Sequence, residues 1–216
     1  MDEVTGNYGI TESEIRQRIQ WHPVNYGGGE SRSSTFKFVN DHRFEFRPQW
    51  IFVVIILSAG GLGAAYILRN LYDMMSNGEY DNPGWRFIPG AIGLVIAYFL
   101  YKRLGRTAIF DLEQGYYWKG NRKYVNALEK NYEPTDLTLL ADIMALQILS
   151  EKVETEKDGS RYTFTSYELN LVLHSGERIN VVDNGGFYNM KHGAEVISKA
   201  LNIPLLIQKG LAGYEI

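Results

Sequence analysis

The sequence predicts an α+β protein: a transmembrane hairpin of two helices, followed by a cytoplasmic antiparallel β domain that ends in a helix. Three observations predict it. Trp50 to Leu68 is an uncharged run, WIFVVIILSAGGLGAAYIL, of 19 residues. Phe87 to Tyr101 is a second apolar run, FIPGAIGLVIAYFLY. Beyond it, apolar and polar residues alternate in short segments with the period of a strand, and the last long segment changes to the period of a helix.

The first run is about 28 Å long as a helix, close to the hydrocarbon thickness of about 30 Å. A buried core helix is the competing reading, and an uninterrupted uncharged stretch of this length argues against it. Trp50 and Tyr66 suit the two interfaces. The second run is shorter. Its span is read as 86–102, with Trp85 and Tyr101 as interfacial aromatics, Arg86 and Lys102 able to snorkel, and Pro89 in the first turn, where a missing N–H costs little. The connection from Arg69 to Gly84 is read as a polar loop with turn signals at Asn77-Gly78 and Asn82-Pro83-Gly84.

Basic residues gather at the outer ends of the two spans. Lys37, Arg43 and Arg47 precede the first, and Lys102, Arg103 and Arg106 follow the second. The bias predicts cytoplasmic termini in a multi-pass membrane protein, and places Arg43, Arg47, Lys102, Arg103 and Arg106 at the membrane surface. Small residues form the pairs Gly60/Ala64, Gly61/Ala65 and Gly93/Ala97, a spacing that lets helices approach closely in lipid. Packing within the hairpin is the expected use, with a homodimer as the alternative. Arg86 and Lys102 stand at the ends of the second span and no charged residue lies between the ends of either span, so an ion pathway has no lining.

Residues 1–49 are polar and lack the parts of a signal peptide, so the first run is expected to stay in the mature protein. Thr11-Glu12-Ser13-Glu14 has the capping-box pattern and predicts a short helix through Gln20, with Ile15 and Ile19 on one face. The glycines of Asn25-Tyr26-Gly27-Gly28-Gly29 lack the Gly-Lys-Ser/Thr ending of a phosphate loop. In STFKFVNDHRFEFRP, Phe36, Phe38, Phe44 and Phe46 lie on one face of a β-hairpin that turns at Asn40-Asp41. A lone two-stranded hairpin is marginal, so this face is expected to pack against the domain that follows the spans.

In that domain, 106–216, strands are expected at Thr107–Leu112, Tyr116–Lys119, Ala141–Val153, Tyr162–Leu173 and Arg178–Asp183, and an amphipathic helix at Asn189–Leu201. Val125 to Thr138 is less readable. The segments FDLEQG, ADIMALQIL, SYELNLVLHSGERINVV and the closing LNIPL follow a membrane hairpin. Together they resemble bacterial two-span membrane proteins with a cytoplasmic pleckstrin-homology-like domain. The layout is also similar to that of the two-span photosystem I assembly factor. The resemblance covers about Trp50 to Leu206 and rests on layout. It implies a binding or assembly role and no catalytic residues.

The residues themselves supply little chemistry. The 216-residue chain has a net charge of −3, which argues against nucleic-acid binding. It has no cysteine, which excludes disulfides, thiolate metal sites and cysteine nucleophiles. His22, His42, His174 and His192 are scattered, and Asp111, Asp142 and Asp183 lie at strand ends or turns. No catalytic, metal or cofactor site is expected. Tyr117, Trp118, Lys119, Arg122 and Lys123 form a candidate ligand or lipid-headgroup patch, with half-buried strand aromatics beside a basic turn as the competing reading. The expected function is a membrane-anchored interaction or assembly module with lipid and protein partners. The alternative is a domain that senses the lipid surface.

Overall fold

The computed structural model describes residues 11–28, 33–77, 84–104, 106–120, 135–157, 159–184 and 186–211. Its contacts divide the chain into two units: Met1–Arg47 together with Thr107–Ile216, and Pro48–Arg106. The segments read above as separate, 1–49 and 106–216, thus belong almost entirely to one folded unit.

The second unit is a helical hairpin. Helix α2 spans Trp50–Asn77 and α3 spans Ile88–Leu104, with a 3₁₀ turn at Gly84–Phe87 before α3. Helix α2 continues nine residues past Leu68, so the start of the expected loop is helical. Arg69 and Asp73 stand one turn apart there, 3.9 Å between Nε and Oδ2. Two helices are long and apolar enough to cross a membrane, and only 6% and 11% of their most apolar windows are buried. They are therefore not core helices of a globular unit.

Gly63 makes the closest approach between α2 and α3. A side-chain carbon added there would lie 2.7 Å from the Gly90 carbonyl oxygen, so only glycine lets the backbones meet. A carbon on Gly93 would lie 3.1 Å from the Gly63 Cα. Ala97 is buried, and a carbon on Gly60 would touch it at 3.4 Å. The pairs Gly60/Ala64 and Gly61/Ala65 expected from spacing do not build this seam. Ala64 is only half-buried, and Gly61 and Ala65 are exposed. The reason is steric: Ala64 carries a methyl group, and the helices come closest at its neighbour Gly63, which has none. A step of four residues from Gly60 or Gly61 passes over Gly63, which shares its turn with Gly60 on the inner face.

The first unit begins with α1, Glu12–Arg18, whose Thr11 cap and Glu14 close the capping box. Strands β1 (Ser34–Asn40), β2 (Arg43–Pro48), β3 (Thr107–Asp111), β4 (Tyr116–Gly120) and β5 (Thr135–Leu139) form one sheet in that order. A 3₁₀ turn, Leu140–Asp142, leads into β6 (Ile143–Lys157), where the sequence suggests continuous strand. Strands β7 (Ser160–Leu173), β8 (Arg178–Asn184) and β9 (Leu205–Ile207) complete a second sheet ordered β8-β7-β6-β9. Helix α4, Phe187–Leu201, precedes β9 and ends on Asn202 in a left-handed conformation.

The hairpin before the spans is part of the first sheet. Strand β2 pairs antiparallel with β3, with Phe44 opposite Phe110 and Phe46 opposite Ala108. Phe44 and Phe46 are buried with Phe110, Tyr117, Leu146, Leu169 and Met190 in the main core. Phe36 packs against that core, 5.4 Å between ring centroids from Phe46 and 5.9 Å from His192. Phe38 does not share the burial expected for it. It sits near the tip of edge strand β1, 57% exposed, and touches Phe44 at 5.5 Å. Burying Phe44 and Phe46 stabilises by about 1.5–3 kcal/mol each.

The topology makes a direct prediction. Residues Pro48–Arg106 leave and re-enter at the same ends of paired strands, so an Asn-Gly turn in their place should give a unit that melts cooperatively. The fragment Arg106–Ile216, lacking β1 and β2, should show no cooperative melt by circular dichroism. In the full chain, Phe46→Ala should cost about 3–5 kcal/mol in denaturant unfolding.

Candidate functional site

The two faces of the β8-β7-β6-β9 sheet differ sharply. Leu146, Ile148, Leu169 and Leu171 point into the main core. The intervening residues point the other way and stand in cross-strand rows: Ala145–Val172–Arg178, Gln147–Asn170–Asn180, Leu149–Glu168–Asp183 and Glu151–Ser166. Ile15 and Ile19 of α1 cover the first row, packing with Ala145, Val172 and Leu206.

The next three rows meet an irregular strap, Gln20 to Gly28, held mainly through its backbone. The Gln147 Nε2 donates to the Gln20 carbonyl at 2.9 Å. The Arg178 Nη1 donates to the carbonyls of Gln20 at 3.0 Å and His22 at 2.7 Å. The Glu168 carboxylate accepts from the Val24 N–H at 2.9 and 3.1 Å and from the Asn25 N–H at 3.3 Å. The Glu151 Oε2 accepts from the Gly27 N–H at 3.0 Å. The glycines that resemble a phosphate loop thus present their N–H groups to a carboxylate of the same chain. A side-chain carbon on Gly28 would collide with Ser166.

This face carries buried polar groups that need partners. Gln147 and Asn170 are fully buried, and Glu168 and Asn180 nearly so. The Asn180 Nδ2 donates to Asp183 Oδ1 at 2.7 Å, and Lys119 Nζ donates to Asn180 Oδ1 at 3.2 Å. Among the described residues neither amide atom of Asn170 has a hydrogen-bond partner. Leaving such a group unsatisfied costs about 1–3 kcal/mol.

Burial raises the Asp183 pKa above the ordinary aspartate value; the Asn180 hydrogen bond lowers it, and the neighbouring Glu168 charge raises it. Burial also lowers the Arg178 pKa.

The predicted patch is not assembled as a surface. Tyr117 and Trp118 are fully buried, Tyr117 in the core, because the two neighbours on β4 face opposite sides of a sheet covered on both. Lys119 is taken up by Asn180. Arg122 and Lys123 lie outside the described residues.

Arg43 and Arg47 are not free for headgroups either. They hold the buried Glu45 carboxylate at 2.8 and 2.6 Å, and Arg43 also lies over Trp118 at 5.6 Å. Lys102 and Arg106 are exposed, Lys102 over the Tyr98 ring at 5.2 Å, while the Arg103 side chain lies outside the described residues. Asp111 caps its own turn, accepting from the Gln114 N–H at 2.9 Å, and stands in a different sheet from Asp183. Among the described residues no group of three or more His, Cys, Asp or Glu is placed to hold a metal.

No protein-family model matches the chain, no curated protein matches it, and no solved structure matches its fold.

Alternation along β7 places Glu168 and Asn170 on the solvent side of the strand, and this conceals the site. The available signal is Gln147, a lone carboxamide inside the otherwise apolar IMALQIL, which reads as a polar group buried on a covered face.

The raised pKa of Asp183 fixes the sign of a pH effect. The folded state binds this proton more readily than the unfolded chain, so the group's contribution to stability is greatest in acid. That contribution is lost as pH rises through the folded pKa. Asp183→Asn, which keeps an oxygen for Asn180, should therefore raise the urea midpoint at neutral pH. The difference from the parent should shrink as the pH is lowered below the aspartate range.

Proposed function

We propose that the chain is a membrane-anchored interaction or assembly module with no catalytic activity of its own. Helices α2 and α3 cross the bacterial inner membrane as a hairpin, and the β unit, a pleckstrin-homology-like barrel closed by α4, lies in the cytoplasm. One observation carries this reading. The helical hairpin is inserted between β2 and β3, which are adjacent strands of one sheet. A sheet cannot be divided by a bilayer, so both flanks of the spans lie on one side of it. The cluster Lys102, Arg103 and Arg106 supports the cytoplasm as that side.

The binding role is supported by a face of polar side chains arranged to hold a peptide backbone, and by side chains of Asp111 and Asp183 that serve turns and strand edges. The lipid-sensing alternative is left with fewer residues, because Tyr117, Trp118, Arg43 and Arg47 are engaged inside the fold.

Reporter fusions test the topology: both Met1 and Ile216 should report cytoplasm, and a periplasmic signal at either end would overturn the hairpin. Crosslinking in intact membranes, then purification in detergent, tests the function. A second protein should co-purify in fixed ratio. Salt-sensitive binding to protein-free anionic liposomes, with no such protein recovered, would favour the lipid reading instead.

A further inference from the structure

We propose that the outer face of β6, β7 and β8 is a peptide-binding site, that the strap Gln20–Gly28 occupies it in cis, and that a partner's extended segment displaces this strap. The inference rests on the binding-module reading and names its site and ligand class.

The strap is recognised as a ligand would be. Most of its hydrogen bonds to the face run from side chains to backbone, with two carbonyls accepting at one end from Gln147 and Arg178, and N–H groups taken at the other by Glu168 and Glu151. Its own side chains add a smaller share: Tyr26 is 72% exposed and Val24 36%, while Trp21 packs beside Ile15 and Ile19, Gln20 Oε1 accepts from Arg178 Nη2 at 3.4 Å and the Asn25 side chain bonds Asp183. A face that reads backbone tolerates many sequences.

The strap also fits imperfectly. Asn170 lies between Gln147 and Asn180 in the second row, on the strap side of the sheet, fully buried and with both amide atoms unpaired among the described residues. A carboxamide offers a donor and an acceptor together, and the group that satisfies both is another amide. A peptide that places one backbone amide over Asn170 gains a pair of hydrogen bonds that the strap lacks, and on that account binds more tightly than the strap does.

The test uses the full chain in detergent and an acetylated, fluorescently labelled peptide of residues 20–28, QWHPVNYGG. Val24→Pro removes the N–H that Glu168 holds and leaves the face intact. This variant should bind the peptide saturably, at least ten-fold more tightly than the parent chain, whose own strap competes. Adding Asn170→Leu should leave the affinity for this strap-sequence peptide within two-fold, because that sequence makes no bond to Asn170, and should not lower the melting temperature.

A peptide N-methylated at the nitrogen equivalent to Val24 probes the same contact with the protein unchanged, and should bind at least ten-fold less well. Three results would each overturn the proposal: no saturable binding by Val24→Pro, equal affinity for the N-methylated peptide, or a ten-fold loss of affinity for the strap-sequence peptide on adding Asn170→Leu. A chain that binds no peptide yet co-purifies with a partner keeps the anchored-module reading and loses only this site.

Discussion

The pairing of β2 with β3 is the contact on which the rest of the structure depends. Through it, residues before and after the helical hairpin become neighbours in one sheet, with Phe44 against Phe110 and Glu45 against Ile109. Without β2, the inner edge of β3 would carry unpaired backbone groups beside a core that has lost two phenylalanines, and an open edge of this kind invites wrong pairing. The same contact determines the charge arrangement. Glu45 is buried between Arg43 and Arg47, each two residues away on one strand, and a buried carboxylate is tolerated only when it is paired in this way. Basic residues that look like membrane anchors in the sequence are thereby committed to the sheet.

The second sheet solves a different problem. One of its faces completes the core and is apolar in the ordinary way. The other is covered by α1 and by a strap bonded largely through its backbone, and the rows beneath the strap carry polar groups. Those groups must find partners, and most do, in backbone amides of the strap and in one another. Asp183 and Glu168 are cross-strand neighbours of like charge, and the raised proton affinity of Asp183 is in part a consequence of that arrangement. A strap held by charge-assisted hydrogen bonds and little burial belongs to the low-stability end of a fold, where segments open locally.

Much of the architecture is legible in the residues. Long uncharged runs mark the helical hairpin because nothing else in a chain of this composition produces them. The capping box at Thr11, the alternating phenylalanines and the period change before α4 are readable because each is local. What stays hidden depends on partners distant in sequence. Strand β9 is three residues long, and its parallel pairing with β6 leaves no periodic trace. The extension of α2 to Asn77 is masked by its polar residues, which end an apolar run without ending a helix. Within the apolar run, small residues four apart mark Ala64 and Ala65 as readily as a true contact, and only the facing helix selects Gly63. The candidate site is hidden for the same reason: alternation in SYELNLVL shows which residues share a face, but only the fold shows that α1 and the strap cover it. Tyr117 and Trp118 carry the converse lesson, since aromatic residues beside basic ones look like a patch until both sheet faces prove to be covered.

The insertion of the helical hairpin also constrains how the fold is reached. Strand β2 precedes β3 by the whole of residues 48–106, so the first sheet cannot form until both helices have been made. A flexible loop of that length would add to the entropic cost of bringing the strands together. The packed hairpin reduces it, because α2 and α3 run back along one another through Gly63 and Gly90 and return the chain towards its starting level. A loop shortened in this way lowers the entropic cost of pairing β2 with β3. The phenylalanines of β2, made before the helices, meet a core that only the last half of the chain supplies.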